Sequence, residues 1–449
     1  MVGTTRDLRR NFTEAAWAIR KHLDFVSTFT FHARTDDEDV NNIVETFIEA
    51  VSDPLSFDLA GRHGRQRFVR LLEAGAVVDG DCAAAFISDG RVQGVEGDRI
   101  RTPMDLDPSF TGKKIIHGVQ VNDAGRAIQY LVCRRAQLGV GFEFERAIPA
   151  RYMNVHGYFD RFDQVRGVTP LATAINQFQD VYEGRVYALA KAKVAQLFGL
   201  IFTREQSDPV TADLRNLVNQ QGQSGNEVQS QDYIDQVQQA YAQAGIPMLD
   251  MDKGDDAKFL ENRTPSTEFQ SFDQLIIASA LKSLDIPFSF YDESHTNFFG
   301  SKNALQQYLF SVDIKRANLM AWLNRWAAWR LGLAIATAEL ILPKRKGFSD
   351  LSWEWVPQGL PWWKPLEEVK AQAESVKAGF TSTPRVCKER GDDAYAIMDE
   401  EKRYRIALAA AKKEVRDEGG FWPDEDINAK GDPELSTSAA LADETKGDN

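Results

Sequence analysis

Apolar positions divide the chain before any composition is counted. Phe12, Ala15, Ala16 and Ile19 recur at helical spacing and predict a helix over Thr5 to Val26. Thr28 to His32 alternates like a short strand. The acidic group Asp36, Asp37, Glu38 and Asp39 opens a second helix, Val40 to Val51, and suits the positive end of its dipole. Residues 54–64 read as a loop. Phe68, Leu71 and Leu72 mark the inner face of a third helix, Arg65 to Ala76. The period then shortens. Ala83 to Ser88, Val92 to Glu96, Ile115 to Val121, Ala127 to Arg134 and Arg151 to His156 are short runs, most of them bounded by Asp-Gly, Gly-Asp or Asp-Ala-Gly turns. Such spacing predicts a small, mostly antiparallel β domain, with Asn122 to Gly125 as a hairpin turn.

Helical spacing returns after Thr169, a candidate N-cap, and Pro170, placed where a missing N–H costs nothing. Leu171, Ile175, Phe178, Tyr182, Val186 and Leu189 predict an alanine-rich helix reaching roughly 40 Å. Its many small side chains suit packing against copies of itself. Residues 206–243 are rich in Gln, Asn, Ser and Asp, and 248–256 are acidic around one lysine, so a compact insertion with an exposed loop is expected. Phe269, Phe272, Leu275, Ile276, Ala280 and Leu284 mark the next helix, which must stop before Pro287. An aromatic and polar loop, Phe288 to Ser301, leads to a long helix from Lys302 to about Leu333. Strands are expected around Thr337 to Leu342 and Leu351 to Val356, and two or three helices within Leu366 to Arg416. Residues 423–449 hold eight acidic residues and two lysines, with almost no large apolar groups, and read as a disordered tail.

Composition narrows the function. The chain has 449 residues, enough for two or three domains, and its 43% hydrophobic and 27% charged content is that of a soluble protein. No apolar run approaches the roughly 20 residues that span a bilayer, and the first residues lack a signal-peptide core, so no membrane partner is expected. Cys82, Cys133 and Cys387 are too far apart for a metal-ligand spacing, and their odd number fits a reducing compartment. A net charge of −13 argues against gripping DNA by phosphate neutralisation.

Candidate chemistry is sparse. The chain has no Walker A run, G-x-S-x-G, H-E-x-x-H or paired C-x-x-C. Gly300-Ser301-Lys302 lacks the upstream glycine and strand of a phosphate loop. His156, Asp160 and Asp163 would be a poor metal set without a second histidine. They nevertheless define a rival reading, a metal-dependent hydrolase or nuclease. Arg62, His63, Arg65, Arg67 and Arg70 form a basic patch, read as pairing with acidic groups of a neighbouring chain rather than as nucleic-acid binding. Trp322, Trp326 and Trp329 share one helix side, the mark of a helix–helix or subunit contact rather than a membrane belt.

Three runs carry a family resemblance: "GVQVNDAGRAIQYLV" (Gly118 to Val132), "IPARYMNVHGYFDRFDQVRGVTPLATAI" (Ile148 to Ile175) and "LIIASALKSLDIPFSFYD" (Leu275 to Asp292). In this order, from about Arg9 to Arg416, the chain resembles the lambda-type portal proteins of tailed bacteriophages. The resemblance implies an α+β subunit of a closed cyclic ring, by family habit a dodecamer. It implies a wing of helices plus β domain (1–170), stem helix 1 (171–199), an α/β clip insertion (200–264) and stem helix 2 (265–287). A tunnel loop (288–301), a long wing helix with strands (302–364), a helical crown (365–420) and the acidic tail (421–449) follow. It further implies a channel at one capsid vertex through which double-stranded DNA is packaged and ejected. The expected partners are the large terminase subunit, a head-completion or adaptor protein and the major capsid protein. The subunit would assemble in the host cytoplasm and end in the virion, with no catalysis, cofactor or metal of its own. By the same resemblance Asp292, Glu293, His295, Asn297 and Lys302 are tunnel-loop candidates beside DNA, and Lys191 and Lys193 are stem-channel candidates. Phe298 and Phe299 are expected to anchor the loop base, since burying one such side chain is worth roughly 1.5–3 kcal/mol. Trp322, Trp326, Trp329, Arg62 and Arg65 are subunit-interface candidates. Another capsid or baseplate subunit is the structural alternative.

Overall fold

The computed structural model describes residues 2–103, 108–136, 141–197, 200–204, 255–259, 267–294, 296–343, 346–359, 364–419 and 422. Two compact units are present, Met1–Ala172 with Ser283–Asn449, and Thr173–Lys282.

In the first unit the expected opening helix is two helices, α1 (Val2–Asn11) and α2 (Thr13–Val26). The break falls at Phe12, whose backbone is extended (φ −113°, ψ 114°). Strand β1 (Phe29–Ala33) and helix α3 (Glu38–Ala50) follow, and Asp37 caps α3 by accepting from the Asp39 N–H. A short α4 (Pro54–Phe57) occupies part of the expected loop, and α5 (Arg65–Asp79) runs one turn beyond its predicted end. Strands β2 (Asp81–Phe86), β3 (Val92–Glu96) and β8 (Met153–Gly157) form an antiparallel sheet in the order β3-β2-β8. Its centre, β2, is buried along its whole length, which is why Cys-Ala-Ala-Ala-Phe can be apolar on both faces.

A second antiparallel sheet runs β4 (Ile115–Ile116), β5 (Val119–Val121), β6 (Ala127–Arg135) and β7 (Phe142–Pro149). The run expected as one strand over 115–121 is a hairpin, turned at His117 and Gly118, both at positive φ. The Asn122–Gly125 turn forms as expected, with the Gly125 N–H donating to the Asn122 carbonyl at 3.0 Å. The two sheets share one core of Ala83, Ala85, Val95, Ile100, Val132 and Met153 with their neighbours.

Helix α8 (Phe298–Ala336) crosses this unit; its 39 residues span about 58 Å at 1.5 Å per residue. It begins four residues before Lys302 because Asn297 caps it, its amide oxygen accepting from the Gly300 N–H at 2.8 Å. The expected strand at Thr337 to Leu342 is absent. The helix end takes up the segment: Ala338 turns left-handed (φ 57°), and the Glu339 and Leu340 N–H groups both donate to the Ala334 carbonyl. Strand β11 (Trp353–Pro357) pairs antiparallel with β1 and sets Trp355 opposite Phe31. Three helices end the described chain, Pro365–Lys377, Thr383–Glu389 and Ala394–Asp417, and none contains a buried residue.

The second unit holds α6 (Ile175–Leu197), strands β9 (Leu200–Arg204) and β10 (Asp255–Phe259), and α7 (Thr267–Leu281). Strands β9 and β10 pair antiparallel. Arg185 of α6 donates to Asp273 of α7 at 2.8 and 3.1 Å. Most of the 200–264 insertion, and the tail from residue 423, lie outside the described residues.

Candidate channel and subunit-contact surfaces

The Ile148 to Ile175 run acts through its polar residues. Arg166 forms a bidentate ion pair with the buried Asp81 and also donates to the carbonyls of Gly97, Ile100 and His117. One side chain thereby fastens the loop to both sheets. Gln164 closes the loop on itself: its amide donates to the carbonyls of Tyr158 and Arg166, and its oxygen accepts from the Asp160 N–H. At Gly167 a Cβ would lie 2.1 Å from the Gly80 carbonyl oxygen, so only glycine fits. Thr169 caps the following turn, its hydroxyl accepting from the Leu171 N–H while donating to the Val77 carbonyl.

His156 faces the core. Its Nε2 lies 2.6 Å from one oxygen of Glu73, and His22 Nε2 lies 2.7 Å from the other. The Tyr158 hydroxyl donates to the same carboxylate. Burial alone would raise the Glu73 pKa, but hydrogen bonds from His156 and His22 outweigh it and hold the group ionised, below the usual carboxylate range. Asp160 and Asp163 are exposed on the loop outside. His156, Asp160 and Asp163 therefore do not converge, and among the described residues no group of three or more His, Cys, Asp or Glu side chains is placed to hold a metal ion. His22 and Glu73 escaped the sequence reading because they lie 134 and 83 residues before His156 and share no local pattern with it.

The loop before α8 is fastened at its first end. Phe290 stacks on Phe25 with centroids 5.8 Å apart, and Tyr291 meets Trp17 edge-on at 5.6 Å. Phe298 and Phe299, expected as the apolar anchors, are instead exposed, Phe299 at 79%. The anchor comes from Phe290 and Tyr291 because helix α2 supplies their aromatic partners. Asp292 accepts from the Ser294 N–H at 2.9 Å. Glu293 and Asn297 are exposed, and Asn297 also caps α8. His295 lies outside the described residues. Lys302 is not free: its Nζ pairs with Glu368 at 3.4 Å. Lys191 and Lys193 are exposed on α6.

The tryptophan stripe belongs to the protomer's own core. Trp322 and Trp326 are 3% and 1% exposed. Trp322 donates to the Asn154 carbonyl at 3.2 Å, and the Asn154 amide returns a bond to the Trp322 carbonyl at 3.0 Å. Trp326 packs on Phe57 and Trp355, and Trp329 stacks on Phe86 at 4.4 Å. Arg65 is likewise committed within the chain. It donates to Ser52 at 2.8 Å and lies over the Trp355 ring, and burial pushes its pKa down to about 10. Arg62 alone of these five candidates is exposed.

Large apolar side chains do reach the surface elsewhere. Tyr182, Val186, Tyr187 and Leu189 are exposed on α6, and Phe272 and Leu275 on α7. Tyr395, Met398, Tyr404 and Ile406 are exposed on the last helix. A helix with exposed apolar groups on several sides is built to be covered.

The family described as phage portal protein, lambda family, matches residues 1–308. The chain belongs to this portal family. Its function is that of a portal connector, and the family is structural rather than enzymatic. Among solved structures, the chain is similar to one from the neck of a native gene transfer agent particle computed with C12 symmetry. The match has 12% identity and a TM-score of 0.50, covering 85% of this chain and 91% of the other. A chain from the virion of a native gene transfer agent particle is 14% identical, with a TM-score of 0.50 and 87% and 93% covered. An HK97-family phage portal protein from Corynebacterium diphtheriae is 12% identical, with a TM-score of 0.36 and 72% and 89% covered. At these identities the two gene transfer agent likenesses speak for the mixed helix-and-sheet fold alone. No curated protein matches the sequence significantly.

Proposed function

We propose that this portal protein is one protomer of a closed ring, twelve copies in the family's habit, at one vertex of the capsid. Double-stranded DNA passes through the ring during packaging and again during ejection. The large terminase subunit docks during packaging, a head-completion or adaptor protein replaces it, and the major capsid protein surrounds the ring. Assembly takes place in the host cytoplasm, and the finished ring stays in the virion. The chain itself carries out no chemistry.

The observation that carries this reading is the apolar surface of α6, α7 and the last helix in a chain of the portal family. Identical chains arranged head to tail around an axis cover such surfaces in a closed set. The acidic balance suits the channel, because DNA carries about one negative charge per 1.7 Å of its axis and a repelling wall does not trap it. In this reading residues 1–170 and 302–364 form the wing, α6 and α7 the stem, 200–264 the clip and 365–420 the crown. Glu293 and Asn297 face the DNA, with Lys191 and Lys193 as weak contacts along the stem.

Replacing residues 293–296 with glycines tests the channel role while sparing the Asn297 cap. Rings should form at wild-type yield, with particles that package or retain less than full-length DNA. Normal packaged length and retention would remove this loop from the mechanism.

A further inference from the structure

A groove of about 730 Å³ opens on the first unit between α1, α5 and β3, beside the basic patch singled out in the sequence. Its floor is apolar, formed by Phe68, Leu71 and Val95, and Leu71 is 42% exposed there. Five arginines and three carboxylates line it. The carboxylates are engaged locally. Asp79 and Glu96 pair with Arg6, Glu96 pairs also with Arg135, and Asp58 accepts from the N–H groups of Ala60 and Arg62. Arg9, Arg10 and Arg62 are exposed at the rim and form no ion pair among the described residues. Arg9 and Arg10 end α1, where they suit its dipole, but Arg62 comes from a separate loop and faces the same groove.

An apolar floor under a rim of guanidinium groups that form no ion pair among the described residues fits an acidic peptide that carries aliphatic side chains. The chain contains such a peptide. Residues 423–449 hold eight carboxylates against two lysines, with Leu435 beside Asp432 and Glu434, and Leu441 beside Asp443 and Glu444. It follows Trp422, whose ring lies 5.7 Å from Lys412 Nζ near the end of the last helix. Extended at about 3.3 Å per residue, the segment reaches about 90 Å. We infer that the groove between α1, α5 and β3 is a docking site for the acidic C-terminal segment of this chain, with carboxylates on Arg9, Arg10 and Arg62 and a leucine on the Leu71 floor.

Full-length protein carrying the photo-crosslinking residue p-benzoylphenylalanine in place of Leu71 tests this directly. Irradiation followed by peptide mass spectrometry should place the cross-link within residues 423–449. Charge reversal by Arg10→Glu with Arg62→Glu should cut the yield at least tenfold. Adding Asp432→Lys and Glu434→Lys to that variant should restore it. No cross-link, cross-links mapping to another segment or another protein, or a yield indifferent to the reversals would overturn the proposal. Circular dichroism and the thermal midpoint of each variant establish that it is folded before the yields are compared.

Discussion

The helices at the start of the chain and those of the second unit place their apolar side chains differently. In α2, Ala15, Ala18, Ile19, Leu23 and Val26 are all 3% exposed or less. In α6, Tyr187 is 69% and Leu189 57% exposed, and in α7 Leu275 is 67% exposed. The last helix behaves like α6, with Met398, Tyr404 and Ile406 all above 60%. Both kinds of helix are apolar enough to need covering. Among the described residues only the first kind is covered. In the proposed ring the exposed helices would be completed by neighbouring protomers, so mutations in the two regions should act on different equilibria.

The largest effect is expected at the centre of the finished body. Glu73→Ala leaves His22, His156 and Tyr158 buried without their shared acceptor, which should cost the protomer about 3–5 kcal/mol in denaturant unfolding. A loss below about 1 kcal/mol would mean the network is incidental to stability. Its pH dependence has a definite sign. The folded-state pKa of Glu73 is depressed, so its contribution is present above the unfolded value of about 4.3 and is lost as pH falls through the folded value. Wild type should therefore lose more stability than Glu73→Gln between about pH 5 and pH 2.

Trp326→Ala should cost about 3–5 kcal/mol of protomer stability, as expected for a tryptophan buried among Phe57 and Trp355. The double change Tyr187→Ser with Leu189→Ser should shift protomer stability by no more than about 0.5 kcal/mol per site. Assembly should nonetheless weaken, because covering each such side chain is worth about 1.5–3 kcal/mol. Unfolding curves and the concentration midpoint of assembly, measured on the same variants, check both halves. Equal effects of the tryptophan and surface variants on both measurements would erase the distinction. The smallest change is Lys302→Ala. The Lys302–Glu368 pair is partly exposed, so its loss should cost at most about 1 kcal/mol.

The helices and most strands were legible because their signals are local. Ile19 and Leu23, or Phe68 and Leu72, announce their burial within a few residues, and Asp-Gly turns announce the hairpins. Strand β7 is not among the expected strands although Phe142-Glu143-Phe144-Glu145 alternates, and Thr337 to Leu342, expected as a strand, is taken up by the end of α8. The tryptophan stripe shows a deeper limit. Helical spacing reveals that Trp322 and Trp326 need partners, but not whether these are Asn154 and Phe57 of the same chain or residues of a neighbour. The same limit hid the Phe290 and Tyr291 anchor, whose partners lie in α2, and the Glu73 network, which joins residues far apart in sequence.

The central claim is that exposed helices complete one another in a ring, and native mass together with rotational symmetry of the purified full-length protein tests it most directly. The account predicts a closed particle with one discrete mass, a multiple of 50.4 kDa near twelvefold, and matching cyclic symmetry in end-on images. A protein that stays monomeric at every concentration and salt, or grows into open-ended polymers without cyclic symmetry, would contradict it.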